Sequence, residues 1–200
     1  MTKDSKVLVG GTGYPAITTG SSGGKALVLD GNQYLSMGDL VKTSTCFGDA
    51  EKNPLGITIN LDVRLTRSAS TCFVFSTGGE EVSHYGYAIW LENDSLYARA
   101  SNSRHEWSVS ISSVQMDEFI RIQMMWSLQS GLLLSIDNNT KVSSKKCISR
   151  PVSHYSTIEE FVLGGSSKKD KNCKLAIERL TTVCASCEIV NRRDLCFIGQ

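Results

Sequence analysis

The segment Gly131-Leu-Leu-Leu-Ser-Ile-Asp-Asn-Asn-Thr-Lys-Val142 decides the fold, together with Phe119-Ile-Arg-Ile-Gln-Met-Met-Trp126 just before it. We interpret the two stretches as a strand, a short Ser-Gly turn, a second strand, a tight turn at Asp137-Asn138-Asn139, and a third strand. Asp and Asn tolerate the left-handed backbone conformation that such turns require, and the turn fixes the register of the strands on either side. The segment therefore predicts antiparallel strands joined by tight turns.

The same alternation runs through most of the chain. In residues 56–65 every second side chain is apolar and the intervening ones are polar, which is the period of a strand with one buried and one wet face. About a dozen such segments follow one another at intervals of roughly ten residues. They predict an all-β fold, an antiparallel β-sandwich. We expect residues 1–24 to be an irregular Gly/Ser-rich lead-in and residues 25–200 to be a single domain, with one short helical turn at Ser186 to Arg193.

Composition narrows the range of partners. The 200 residues carry a formal net charge of +1, so no overall basic field favours nucleic acid. No apolar run reaches the ~18 residues that a membrane-spanning helix needs. We therefore expect neither nucleic-acid binding nor membrane insertion by this segment.

The cysteines point to an oxidising compartment. There are seven of them, at positions Cys46, Cys72, Cys147, Cys173, Cys184, Cys187 and Cys196. Cys184-Ala-Ser-Cys187 could also indicate a zinc knuckle or a redox dithiol, but it lacks a second knuckle and a strand–helix context, so disulfides are the preferred interpretation. Their connectivity stays open. Two glycosylation sequons, beginning at Asn93 and Asn138, fall on predicted turns and also favour an extracellular setting.

Several segments together resemble the laminin-G-like and pentraxin domains, which share the concanavalin-type jelly roll. They are similar to the family's strands and turns in the family's own order and cover roughly residues 25 to 190: Lys25–Gly31 with Tyr34, Pro54–Ile59, Trp126–Asn138, Phe161–Gly165, and Ala176–Leu180 with Glu188-Ile189 beyond it. The resemblance implies a laminin-G-like jelly roll that acts as a non-enzymatic recognition module for glycan or protein ligands, as in a matrix or adhesion protein.

The resemblance also raises calcium as a ligand. Pentraxins follow the paired glycines with an acidic calcium-binding loop, whereas this chain has Ser166-Ser-Lys-Lys-Asp-Lys171, whose ammonium groups would repel a cation. Pentraxin-type double calcium binding is therefore not expected. A single structural calcium is the remaining option, with Asp30 and Glu178 as its candidate ligands, because the family's first and closing strands lie together. The alternative is that Asp30 forms a turn and Glu178 is surface charge. A calcium-dependent, pentraxin- or lectin-like carbohydrate binder is the alternative function.

Basic loops are the candidate ligand-binding residues. Lys168, Lys169 and Lys171, with help from Lys145 and Lys146, could follow a sulfated polyanion, although a solvated surface is the plainer interpretation. We expect the loop that contains Lys168 to project as a hairpin between Phe161–Leu163 and Leu175–Leu180. The tryptophans Trp90, Trp107 and Trp126 are expected in the core rather than on a sugar-stacking platform.

Catalysis finds little support in the sequence. Glycosidases on the same jelly roll need paired carboxylates aimed at one bond. The adjacent pairs here, Glu80-Glu81 and Glu159-Glu160, fall in a loop and before a strand, where solvated charge explains them better. A glycosidase-related jelly roll is the least favoured alternative, and no enzymatic activity is expected.

Overall fold

The computed structural model describes residues 8–38, 55–80, 84–102, 105–149, 160–166 and 168–184. In these ranges the chain forms fifteen strands and no helix, and every strand pair is antiparallel. The strands make two sheets, which confirms the predicted β-sandwich. The helical turn expected at Ser186 to Arg193 lies outside the described residues.

The first sheet has eight strands. In spatial order they are β1 (Leu8–Gly11), β4 (Gln33–Ser36), β14 (Val162–Leu163), β6 (Cys72–Ser76), β7 (Gly86–Glu92), β8 (Ser95–Ser101), β9 (His105–Ile111) and β13 (Ile148–Ser149). The second sheet has seven strands. In spatial order they are β12 (Thr140–Ser144), β11 (Gly131–Ile136), β10 (Phe119–Ser127), β5 (Ile57–Leu65), β15 (Lys174–Cys184), β3 (Lys25–Asp30) and β2 (Ala16–Thr19).

The predicted tight turns are present. Asn93 and Asp94 join β7 to β8, and both have positive φ, of 50° and 57°. Asp137 and Asn138 join β11 to β12 with φ of 50° and 60°. Because Asp and Asn adopt this conformation at low cost, the turns fix the register of both hairpins.

The core lies between the sheets and comes from the alternating side chains. Ile59, Leu61, Val63 and Leu65 of β5 are fully buried, as the period-two pattern predicted. Trp107 and Trp126 are also buried and pack edge to face, with ring centroids 5.4 Å apart. A disulfide between Cys72 in β6 and Cys173, directly before β15, joins the two sheets.

Two features differ from the sequence-based expectation. Residues 8–19 are not irregular, because they contain β1 and β2. Both are edge strands with mostly exposed side chains, so their pairing leaves little apolar signal in the sequence. The loop after β14 is not a hairpin either, because β14 and β15 belong to different sheets and the loop crosses between them.

Candidate functional site

The candidate site is the outward face of the seven-stranded sheet, where β10, β5 and β15 lie side by side. The strand register aligns their outward side chains in three rows across the strands. We name them the charged row (Arg121, Asp62, Arg179), the amide row (Gln123, Asn60, Thr181) and the apolar row (Met125, Thr58, Val183). Together they form what we call the graded face, which runs from charge to hydrocarbon along the strands.

The charged row is held by one carboxylate between two guanidinium groups. Arg121 donates to Asp62 through Nε to Oδ1 at 2.7 Å and through Nη2 to Oδ2 at 3.1 Å. Arg179 Nε lies 3.5 Å from the same Oδ2. The hydrogen bond to Asp62 raises the pKa of Arg121 above its ordinary value. The Asp62 side chain is 12% exposed, against 48% for Arg121 and 56% for Arg179. The carboxylate is therefore enclosed, whereas both guanidinium groups reach solvent.

The amide row is a chain of hydrogen bonds. Gln123 Nε2 donates to Asn60 Oδ1 at 2.8 Å, and Asn60 Nδ2 donates to Thr181 Oγ1 at 3.3 Å. The chain fixes the orientation of both amides on a rigid sheet. It leaves Gln123 Oε1 and the Thr181 hydroxyl hydrogen without a partner among the described residues. A cleft of about 290 Å³ covers the amide row and the charged row, with Asn138 at its edge.

The apolar row opens into a groove. Met125 is 42% exposed and Val183 is 61% exposed. With Leu55, Leu133 and the Thr58 side chain they line a groove of about 480 Å³. Because Met125 follows Gln123 by two residues, and Val183 likewise follows Thr181, the groove continues the cleft along the same strands.

Glu178 borders the graded face at a β-bulge. The β15–β5 register shifts between Ile177 and Arg179, which places Glu178 at the bulge. Its carboxylate accepts hydrogen bonds from the hydroxyl and backbone N–H groups of Ser21 and Ser22, including Ser21 Oγ at 2.6 Å and Ser21 N at 2.8 Å. The Ser21 and Ser22 hydroxyls lower the pKa of Glu178 to about 2. Glu178 therefore fastens the β2–β3 turn to β15.

The two candidate calcium ligands do not meet. The predicted pairing of their strands is present, but Asp30 pairs with Lys174, four residues before Glu178, which corresponds to ~13 Å along a strand. Asp30 accepts a hydrogen bond from Asn32 N at 2.8 Å within its own turn. Within the described ranges, no three His, Cys, Asp or Glu residues are grouped to hold a metal ion. Calcium binding stays a prediction.

The two lysine clusters lie at opposite ends of the sandwich. Lys168, Lys169 and Lys171 precede β15, whose first residues pair with the Leu65 end of β5. Lys145 and Lys146 follow β12 and lie at the Ile57 end of the same strand. Since β5 has nine residues, the clusters are ~30 Å apart. All five lysines are exposed, and Lys169 Nζ lies 2.8 Å from Glu160, a bond that raises the pKa of Lys169.

The glycosylation candidates lie on the turns that the sequence predicted, whereas of the disulfide candidates in the described residues one pair is bonded and one cysteine is free. Asn93 and Asn138 are exposed in turns, so their glycosylation stays a prediction with an accessible acceptor. Cys72 and Cys173 are bonded, and Cys147 is a free, half-buried thiol. Cys46, Cys187 and Cys196 lie outside the described residues, as does the side chain of Cys184.

Trp90 is not a core residue, unlike the other two tryptophans. In β7 the inward positions are Tyr87, Ile89 and Leu91, so Trp90 points outward. It stacks on Tyr97 with ring centroids 5.2 Å apart and an interplanar angle of 10°. Phe73 and Arg99 also contact its ring. Because other protein side chains contact the ring, we interpret Trp90 as a packing residue and not as a platform for a sugar.

The graded face was missed as a site by sequence reasoning. The alternation of Thr58, Asn60, Asp62 and Arg64 did show that β5 has a wet face. The site would be found by aligning the polar face of β5 with the outward side chains of the two strands that contain Gln123 and Thr181. Their adjacency to β5 depends on pairings between distant parts of the chain, which the sequence does not state.

Comparison with known proteins gives the fold only. No family model and no curated protein sequence matches the chain. Solved structures do match, among them the receptor-binding domain of botulinum neurotoxin C/D mosaic serotype, with a TM-score of 0.61, 11% identity, and coverage of 94% of this chain and 46% of that chain. A botulinum neurotoxin DC binding domain in complex with rat synaptotagmin II has a TM-score of 0.58 and 10% identity, and covers 88% of this chain and 42% of that one.

A third similar structure is the botulinum neurotoxin serotype D ligand-binding domain in complex with N-acetylneuraminic acid, with a TM-score of 0.58, 8% identity, and coverage of 92% of this chain and 44% of that chain. This chain thus spans less than half of each of these receptor-binding domains. The likeness supports the β-sandwich fold. The finer laminin-G-like or pentraxin-like assignment stays a prediction.

Proposed function

We propose that the chain is a non-enzymatic recognition module of an extracellular protein and that it binds a glycan on the graded face. The observation that carries this proposal is the alignment of the charged row and the amide row on three adjacent strands. Glycan hydroxyls are recognised by fixed amide, hydroxyl and guanidinium groups, and here these groups are held by one another on a rigid sheet.

The chemistry of the cleft favours binding over catalysis. Asp62 is the single carboxylate among the residues that line it, and both of its oxygens face a guanidinium group. Glycoside hydrolysis needs two carboxyl groups at a defined separation. Elsewhere in the described chain, Glu80 accepts a hydrogen bond from Ser76 Oγ and Glu160 pairs with Lys169, so both loop carboxylates have structural partners.

Three observations support an extracellular setting. The Cys72–Cys173 disulfide fits an oxidising compartment. Both sequons lie in exposed turns. The similar structures include toxin binding domains in complex with rat synaptotagmin II or with N-acetylneuraminic acid. A matrix or adhesion protein is the host that we propose. Among the described residues, no helix is long and apolar enough to span a bilayer.

A glycan array tests the proposal. Labelled protein made in an oxidising compartment is applied with and without a chelator, beside the variants Arg121→Ala and Arg67→Ala. Arg67 is the matched control, because it is exposed and pairs with Asp94 away from the graded face. We expect chelator-independent binding that Arg121→Ala abolishes and Arg67→Ala preserves.

Other outcomes contradict the proposal in distinct ways. Binding that the chelator abolishes would favour the calcium-dependent lectin, and cleavage of an arrayed glycan would favour the glycosidase relative. If sulfated glycans bind and only Lys168→Glu/Lys169→Glu removes them, the site is the lysine loop instead. A blank array with a folded protein would favour a protein ligand.

A further inference from the structure

The graded face also indicates what kind of glycan it takes, an inference that rests on the proposed function. We infer that the ligand is a short acidic saccharide joined to an apolar group. Its carboxylate lies on Arg121 and Arg179, its hydroxyls lie on the amide row, and its apolar group lies in the groove of Met125 and Val183.

The order of the rows sets the ligand's orientation. Residues two apart on a strand are ~6.8 Å apart, so the charged row and the apolar row are separated by ~14 Å, with the amide row midway. On β10 the order is Arg121, Gln123 and Met125, whose partners on β5 are Asp62, Asn60 and Thr58, so that β5 ends in a threonine rather than in a hydrocarbon side chain. On β15 the same order is Arg179, Thr181 and Val183. A ligand lying along the strands therefore meets charge, then neutral hydrogen-bonding groups, then hydrocarbon.

The charged row provides donors for a carboxylate. Asp62 occupies Nε and Nη2 of Arg121 and faces Nε of Arg179, which leaves Arg121 Nη1 and both Nη groups of Arg179 without an acceptor among the described residues. The residues that line the cleft carry two guanidinium groups and one carboxylate. Of the acidic groups nearby, Asp137 Oδ1 accepts the backbone N–H of Arg121 at 2.7 Å, and Glu178 is held by Ser21 and Ser22. Guanidinium groups with free N–H donors match a carboxylate in charge and geometry.

The apolar groove exposes more hydrocarbon than a saccharide bound to the amide row would cover. Met125, Val183 and Leu55 are exposed large hydrophobic residues that all line it. A saccharide filling the cleft would end at the amide row and leave these side chains in water, because they line the groove and not the cleft. An apolar group at that end of the saccharide would remove them from water, which is favourable in proportion to the area buried.

Four synthetic glycosides test the inference: octyl and methyl β-D-glucuronide, and octyl and methyl β-D-glucoside, titrated calorimetrically below their micelle-forming concentrations. We expect octyl glucuronide to bind most tightly. Replacing the carboxylate by the neutral sugar, or octyl by methyl, should each weaken binding about tenfold or more.

The variants separate the two halves of the face. Arg179→Gln should reduce the preference for the acid but keep the preference for octyl, and Val183→Asn should do the reverse. Both residues are more than half exposed, so neither change should disturb folding. The matched controls are Arg67→Gln, a cation outside the cleft, and Leu128→Asn, an exposed apolar residue outside the groove. Both controls should keep both preferences.

Equal affinity for the methyl and octyl glucuronides, or for the octyl glucuronide and octyl glucoside, overturns the inference, as does the absence of octyl glucuronide binding. If the array binding still requires Arg121, the proposed function stands while this inference fails. If the array is blank as well, both fail.

Discussion

On the outward face of the eight-stranded sheet the polar and aromatic side chains contact one another, whereas on the outward face of the seven-stranded sheet the polar side chains keep donors for solvent. On the eight-stranded sheet, Trp90 stacks on Tyr97, and Arg99 Cζ lies 5.2 Å from the centre of the Trp90 ring. Arg99 is also 3.1 Å from Glu106 and donates to the Glu80 carbonyl at 2.9 Å. On the seven-stranded sheet, Arg121 and Arg179 share one carboxylate and keep donors directed at solvent.

The difference teaches how to separate a structural cluster from a binding site on the same fold. Arg99 and Glu106 are mostly buried, with side chains 20% and 13% exposed, so their interactions are made within the protein. The guanidinium groups of the graded face are about half exposed and lie over a cleft. We therefore expect changes on the first face to alter stability and changes on the second to alter binding.

The disulfide gives the largest expected effect, because it joins the two sheets and thus supports both faces. Replacing Cys72 and Cys173 together by Ser should lower the free energy of unfolding by about 3–5 kcal/mol, since the bond links residues 101 positions apart. Urea unfolding measures the change. Cys147→Ser, which alters a free thiol, is the control and should cost less than about 1 kcal/mol. Equal effects of the two changes would contradict the assignment of the bond.

Trp90 tests the closed face. Trp90→Ala should lower the free energy of unfolding by about 2 kcal/mol, because the half-buried ring loses Phe73, Tyr97 and Arg99 as neighbours. Urea unfolding and glycan binding are measured on the same sample, and binding should not change. Tyr14→Ala is the control, because Tyr14 is almost fully exposed. A loss of binding without a loss of stability would make Trp90 a sugar platform and remove the contrast between the faces.

Asp62 tests the open face. Asp62→Asn should lower the melting temperature by only a few degrees, because the two guanidinium groups that pair with Asp62 can form hydrogen bonds with water instead. Glycan binding should fall strongly, because the same guanidinium groups are no longer held in place. In double-mutant cycles of the free energy of unfolding, Asp62→Asn should couple more strongly to Arg121→Gln than to Arg179→Gln, since Arg121 makes the bidentate bond. Equal coupling in the two cycles would contradict that geometry.

Replacing Glu178 should give the smallest change in stability, and this change should depend on pH over a defined range. Its pKa is lowered from 4.5 to about 2 in the folded protein, so the ionised carboxylate stabilises the fold above pH 4.5. This contribution is lost as the pH falls from 4.5 to about 2. Melting temperatures of the wild type and of Glu178→Gln should therefore differ at neutral pH and converge over that interval. Ser21→Ala should reduce the difference, and a constant offset at every pH would show that the charge is not involved.

The amino-acid sequence by itself determined the class of fold and its wet and dry faces. The strict alternation of residues 57–65 and the Asp and Asn residues at the turns carry that information locally, because side-chain direction and turn conformation depend only on neighbouring residues. The same local logic placed Asn93 and Asn138 on exposed turns. It also placed Trp107 and Trp126 in the core.

Only the tertiary structure decided which polar residues act together. Asp62 meets Arg121 and Arg179 because β5 pairs with β10 on one side and β15 on the other, across 59 and 117 residues of sequence. The same pairings separate Asp30 from Glu178 and place the two lysine clusters at opposite ends of the sandwich. Register between distant strands is set by the packing of the whole core, and a shift of one residue would turn every outward side chain inward. The period of the sequence could therefore predict the faces, but the rows on them required the assembled sheet.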